Sequence, residues 1–211
     1  MASDRYCMET DGAVRTYFSE QYMLNCDRED HAHGCDGAQT DKVLWWMEEN
    51  GLLSDHCQFY HEMVEECHPY DCDVEATEDY ELFNVRTPQA LVTETKDEPI
   101  PYLEITEEIY ANGPVYFSMN VPFDFMRYRD GIFVTESRIF LGGHAVRCVG
   151  WGKDPDATDD TPVEEAYYWI VANSWSDEWG MDGYFHIRWD QRIAYKSGWI
   201  NSAPSVRQLI E

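Results

Sequence analysis

The 211-residue chain is expected to adopt an α+β fold, a helical half followed by an antiparallel β half with a cleft between the two. Three observations carry this expectation. Short capped helical segments and cysteine-pinned loops fill the first hundred residues. A helix running into Gly113-Pro114 then closes the helical pattern. Beyond it come alternating apolar runs rich in Val, Ile, Tyr, Phe and Trp, the residues that favour strands. The change of pattern places a boundary near residue 100, with 1–100 helical and disulfide-pinned and 101–211 β-rich.

In chain order, Ser19 is suited to cap a short helix through Glu20-Gln21-Tyr22-Met23-Leu24. Gly34-Cys35-Asp36-Gly37 marks a tight turn within the loop 27–38. Thr40 is suited to cap a longer helix, Asp41 to Asn50, which Gly51 ends, with Val43, Leu44 and Met47 on one face. From 51 to about 97 the pattern is irregular. Ile105 to Asn112 is the helix before Gly113-Pro114, and Val115, Phe117, Met119 and Val121 alternate as a half-buried strand. Asp130-Gly131 marks a turn before Ile132-Phe133-Val134. Two further strand runs, 142–152 and 169–173, flank an acidic insert from Lys153 to Glu165, and Tyr184 to Trp189 supplies one more strand.

Composition narrows the function. Apolar residues make up 44% and aromatics 15%, with 8 Trp and 14 Tyr, enough for a packed core. A formal charge of −26, from 41 acidic and 15 basic residues, disfavours nucleic acid and anionic membranes as partners, since both call for basic patches. No apolar run reaches the roughly 18 residues of a membrane-spanning helix, so no membrane insertion is expected. The first residues also lack the apolar segment of a signal peptide. Seven cysteines, five of them between Cys26 and Cys72, nevertheless suit an oxidised, exported protein.

The chemistry concentrates in two runs. His144 stands near the start of Gly142-Gly143-His144-Ala145-Val146-Arg147-Cys148-Val149-Gly150, and Asn173 ends Trp169-Ile170-Val171-Ala172-Asn173. Adjacent strands would set the imidazole beside the amide. A hydrogen bond at one ring nitrogen fixes the tautomer and leaves the other nitrogen free to work on a nucleophile.

These runs, with Glu20-Gln21 to Cys26, Gly34-Cys35-Asp36-Gly37, Gly51-Leu52-Leu53 and Ile109-Tyr110-Ala111-Asn112-Gly113-Pro114-Val115, resemble the papain family of cysteine peptidases, in its cathepsin B and cathepsin X (Z) branch. The resemblance implies a papain-like fold and peptide-bond hydrolysis by a cysteine thiolate, with no cofactor. It implies that His144 is the acid/base, that Asn173 orients it, and that Trp175 shields their hydrogen bond. The backbone of Asp36, Gly37 and Ala38, together with Gly143 and Ala145, would bind an extended polypeptide substrate or inhibitor. Ala38 stands where the family usually has glycine, and the paired histidines of the cathepsin B occluding loop are missing after Cys72. A lysosomal, vacuolar or extracellular location is the corresponding expectation.

The family nucleophile lies in Cys-Gly-(Ser/Ala)-Cys-(Trp/Tyr), which this sequence does not contain. Cys7 has a plausible spacing, 137 residues before His144, but Met8 follows it and Cys26 is only 19 residues on. Ala2-Ser3-Asp4-Arg5-Tyr6-Cys7 instead resembles the far end of the family's central helix. The nucleophile and the oxyanion-hole glutamine are therefore expected upstream of Met1, and residues 1–211 alone are expected to be inactive. By the same resemblance, Cys7 and Cys35 lack their partners. Cys26, Cys57, Cys67 and Cys72 can form two bridges in three possible pairings, and Cys148 is expected to be a buried free thiol.

Two other readings compete. One is a silent papain-like module in an assembly, a partner protein covering the side that the central helix would otherwise pack. The other is zinc binding by His31, His33 and Cys35 with Cys67 and Cys72, whose intervals do not match a compact finger, so that no metal is expected. His56, His61, His68 and His186 read as surface or strand residues.

Overall fold

A computed structural model describes residues 1–28, 33–69, 71–73, 80–86, 89–92, 100–191, 196–199 and 202–207, with side chains assigned outside 89–92, 196–199 and 202–207. His31, and the stretch 93–99 just before the expected boundary, lie outside the described residues. The chain forms two compact units, Ala2–Gln89 with Ile200–Glu211, and Ala90–Trp199 with Met1.

The helical unit carries α1 (Ala2–Glu9), α2 (Glu20–Cys26) and α3 (Thr40–Asn50). Ser19 caps α2 as its sequence suggests, its hydroxyl accepting the Tyr22 N–H at 2.9 Å. Thr40 does not cap α3. It is the helix's first residue, and Gln39 precedes it without a side-chain cap. Leu44, Trp46 and Met47 are the buried residues of α3, and Val43 is half-buried. Gly51 ends the helix at φ +72°, its N–H bonded to Met47 O. A Cβ at Gly51 would meet Leu82 Cγ at 2.8 Å, so both backbone angle and close packing require glycine.

Tyr6, Phe18 and Phe83 pack edge-on or tilted with centroids 5.2 to 5.5 Å apart, at the centre of a core that includes Leu52 and Leu53. Two disulfides pin its loops, Cys26–Cys67 and Cys57–Cys72, selecting one of the three pairings the sequence allows. The unit is completed by a two-stranded antiparallel sheet in which β1 (Leu82–Val85) pairs with β9 (Ser202–Arg207).

The second unit is a seven-stranded sheet with α4 (Tyr102–Asn112) and the short α5 (Val163–Ala166). Its strands are β2 (Gln89–Val92), β3 (Val115–Pro122), β4 (Ile132–Phe133), β5 (Phe140–Lys153), β6 (Tyr167–Ala172), β7 (Tyr184–Arg188) and β8 (Lys196–Trp199), in the order β2-β8-β3-β5-β6-β7-β4. The β3–β5, β3–β8, β5–β6 and β6–β7 pairs are antiparallel, and β4 joins β7 in parallel. The α+β reading is thus realised, with an antiparallel-dominated sheet. Helix α4 begins three residues earlier than its apolar pattern suggests, at Tyr102, whose ring stacks on Trp189 at 4.7 Å and 4°.

The half-buried alternation expected along β3 is only partial, because Tyr116 is buried alongside Val115 and Phe117. Val115, Phe117, Met119, Val146, Cys148, Trp169, Val171, Phe185 and Ile187 form the core under α4. Burial of this many large apolar side chains dominates the unit's stability, each contributing about 1.5–3 kcal/mol.

Candidate active site

The site is built where β5 and β6 diverge. Their pairing runs from Lys153↔Tyr167 to Arg147↔Ala172, so His144 lies three residues beyond the last pair on one strand and Asn173 one residue beyond it on the other. On its far side β5 stays paired with β3, where His144 faces Met119. Val146 and Cys148, which alternate in step with His144, turn into the core and hold the strand in register.

Across this gap His144 Nε2 donates to Asn173 Oδ1 at 2.8 Å. The same oxygen accepts the Ser174 N–H at 2.8 Å, so two donors hold it in place. The Asn173 N–H itself bonds to Gly183 O, anchoring both ends of the loop 173–183. With Nε2 engaged as donor, Nδ1 is the basic nitrogen of the neutral ring. The Trp175 indole covers the imidazole, with centroids 5.0 Å apart and planes 27° from parallel. Its own position is set by edge contacts to Phe125 at 5.6 Å and Trp179 at 5.1 Å.

The loop that carries Asn173 and Trp175 departs from relaxed backbone. Ser176 has φ +79° and Asp182 φ +52°, both in the left-handed region, alongside Gly180 and Gly183. At Gly180 a Cβ would meet Tyr184 O at 2.5 Å, which excludes any side chain there. Phe125, Ser174, Ser176 and Trp179 all shape this site, and sequence reasoning missed their roles. The paired tryptophans of Trp175-Ser176-Asp177-Glu178-Trp179 were the available signal.

The other residues singled out from the sequence fall in two places. Gly143 and Ala145 flank His144 on β5 and are exposed, with open space where a Gly143 Cβ would stand. Asp36, Gly37 and Ala38 belong to the helical unit and are exposed. Gly37 closes a 3₁₀ turn, Gly34–Asp36, at φ +104°, and its carbonyl accepts the His33 N–H. Cys67 and Cys72 are committed to disulfides, which removes them from the weighed zinc set. Among the described residues no group of three or more His, Cys, Asp or Glu is placed to hold a metal ion, and no helix is long and apolar enough to cross a membrane.

Three described cysteines carry free thiols, Cys7, Cys35 and Cys148. Cys148 shares the sheet unit with His144 but is fully buried. Burial pushes its thiol well above the ordinary range, and the thiol donates to Gly150 O, so it is an inert core residue, as expected.

An imidazole held by an asparagine amide under a tryptophan is an arrangement that can serve a thiol nucleophile. The family description "Papain family cysteine protease" matches residues 1–206, and the chain belongs to this family. It is 30% identical over 214 residues to the gut-specific cysteine proteinase of Caenorhabditis elegans, covering 93% of this chain and 61% of that protein. It is 31% identical to cathepsin B-like cysteine proteinase 5 of the same organism (88% and 58% covered) and 31% identical to cathepsin B-like CP3 of Giardia intestinalis (87% and 56% covered). The chain therefore spans about three-fifths of the length of these curated relatives.

Among solved structures, proCathepsin B S9 from Trypanosoma congolense superposes with a TM-score of 0.71 at 29% identity, covering 96% of this chain and 65% of that one. The bromelain protease of Ananas comosus, solved with the E64 inhibitor, shares the fold at a TM-score of 0.71 and 20% identity, with 95% and 84% covered.

Proposed function

We propose that these residues form the histidine side of a papain-type cysteine peptidase that hydrolyses polypeptides by a thiolate–imidazolium mechanism. The single observation that carries this reading is the 2.8 Å hydrogen bond from His144 Nε2 to Asn173 Oδ1 under the Trp175 ring. It leaves Nδ1 to take the proton of a cysteine thiol. The imidazolium so formed stabilises the thiolate and later returns the proton to the leaving amine. Asn173 holds the ring through both states, since Nε2 donates in each. Trp175 keeps water from competing for that bond. Gly143 leaves room beside the histidine. In the helical unit, taken by itself, the exposed residues Asp36, Gly37 and Ala38 are the candidates for pairing with an extended substrate.

The thiolate itself is assigned to a segment of the natural polypeptide outside residues 1–211. Cys148 is buried and inert, and Cys7 lacks the sequence context of the family nucleophile. Peptidase activity is therefore a property of the longer polypeptide. Two disulfides fit an oxidising setting, hence a lysosomal, vacuolar or extracellular location.

The test is the protein from its natural source. The reading requires a mass above the 24.7 kDa of this chain, covalent labelling by a thiol-directed epoxide inhibitor on a cysteine outside residues 1–211, and loss of labelling in His144→Ala. A native mass of 24.7 kDa with no labelling would overturn it in favour of a silent module acting through a partner.

A further inference from the structure

Tyr128 has no role in the chemistry above, yet its ring is tied to the loop that carries Asn173 and Trp175. It follows the 3₁₀ segment Phe123–Arg127 and is only 6% exposed. Two hydrogen bonds fix its hydroxyl, which donates to Gly131 O at 2.7 Å and accepts the His186 N–H, on β7, at 3.1 Å. Burial pushes the pKa of this hydroxyl up, so it keeps its proton and goes on donating. The Tyr128 N–H bonds to Phe125 O at 3.0 Å. Both ends of the residue are thus anchored, the backbone on the 3₁₀ segment and the phenol on β7.

This anchored ring bears on the loop 173–183. Its centroid lies 5.5 Å from that of Trp179, and its edge comes within 3.3 Å of the place a Cβ at Gly180 would take. The next residue, Arg129, donates through Nη1 to Glu178 O at 3.4 Å, so residues 128 and 129 together grip the stretch 178–180. The loop needs such support. Ser176 and Asp182 hold the left-handed backbone, which persists only where the surroundings over-determine it. From Trp179 the packing passes to Trp175 at 5.1 Å, and from Trp175 to the His144 ring at 5.0 Å. A second route runs through Phe125, whose ring is 6.2 Å from Tyr128 and 5.6 Å from Trp175.

We propose that Tyr128 is a positioning residue of the histidine site, holding Trp175 stacked on His144 through Trp179 and Phe125. Its effect on turnover rests on the peptidase reading given above, whereas its effect on the His144–Trp175 stack is readable in residues 1–211 alone.

The test is proton NMR of the His144 ring in the 211-residue chain, where the stacked indole moves its resonances upfield. Tyr128→Leu should remove at least half of that shift, measured against its full loss in Trp175→Ala, because Trp175 loses support on both routes. Tyr102→Leu, the same substitution in the stack on Trp189, should leave the His144 resonances in place whatever it does to stability. Tyr128→Phe keeps the ring and loses both hydroxyl bonds. It should give a smaller change in the same direction, and serves as the test if Tyr128→Leu fails to fold. In the longer polypeptide, with the nucleophile present, Tyr128→Leu should lower kcat about tenfold and change KM by less than about twofold. Unmoved His144 resonances in the folded Tyr128 variants, an equal change in Tyr102→Leu, or a raised KM at unchanged kcat would each overturn the proposal. The NMR readout needs no turnover, so failure of this inference is seen separately from failure of the peptidase reading.

Discussion

Asn173 Oδ1 receives two hydrogen bonds at 2.8 Å, one from the His144 ring and one from the N–H of Ser174. The second is made by the chain immediately after the asparagine, so the backbone of the loop 173–183 aims the amide at the histidine. Orientation of the imidazole is therefore a property of that loop, and the expected effects of substitution follow from it.

Asn173→Ala removes the acceptor while leaving the β5–β6 pairing intact. On the peptidase reading proposed above, and with the nucleophile present, it should lower turnover by one to two orders of magnitude, about 1.4–2.8 kcal/mol of transition-state stabilisation, whereas His144→Ala should abolish turnover. In the 211-residue chain, nitrogen NMR should find the neutral His144 ring protonated at Nε2, and a mixture of tautomers in Asn173→Ala.

Trp175→Ala should cost about 2 kcal/mol in urea unfolding, because the ring is only half buried yet contacts Phe125, Trp179 and His144. The His144 ring-proton resonances should also lose the upfield shift produced by the stacked indole.

Ser176 has φ +79°, a conformation that costs an L-residue about 1–2 kcal/mol and glycine little. Ser176→Gly is expected to raise stability by about 0.5–1 kcal/mol after the added entropy of the unfolded chain is counted. Thermal melts of the two proteins measure it, and a lower melting temperature would contradict the strain.

Two histidines should give pH dependences of opposite sign. Burial against Tyr168 lowers the pKa of His186, so the unfolded chain binds its proton first, and stability declines as pH falls through about 6.5 and on to the lower folded value. For His61, the hydrogen bond to Glu65 is the main cause of a raised pKa. Its contribution is present below about 6.5 and is lost as pH rises through the folded value. Urea midpoints between pH 5 and 8 should therefore flatten on the acid side in His186→Gln and change on the alkaline side in His61→Gln.

Thiol mapping checks the cysteine assignments. Without denaturant, a small alkylating reagent should modify Cys35, which is exposed, and spare Cys148 until the chain unfolds. In the loop-entropy picture the Cys26–Cys67 bridge, which spans 41 residues, contributes about 4 kcal/mol, against about 3 for the 15-residue Cys57–Cys72 bridge. Separate Cys-to-Ser pairs should lower stability in that order.

Local chemistry was the legible part of this sequence. Ser19 before Glu20 announces a helix start, Gly51 and Gly113 announce helix ends, and the runs around His144 and Asn173 announce two strands whose pairing brings an imidazole to an amide. Gln39 in place of Thr40 as the residue before α3 escaped, because several residues in a row can begin a helix and tertiary context chooses among them. The partner that buries Trp46, Tyr22 on another helix, is likewise one that periodicity along α3 cannot reveal. The place of β8 between β2 and β3, and the choice of disulfide partners, depend on contacts between distant stretches.

The pairing of Leu82 with Arg207 closes the helical unit with a strand from the far end of the sequence. On a ribosome, residues 90–199 of the sheet unit lie between those partners and will have emerged before β9 does. The helical unit must then wait, with β1 lacking its neighbour, until residues 202–207 have been made. Assembly order is thereby imposed by connectivity, and the nascent chain carries an open strand edge throughout the synthesis of residues 90–199.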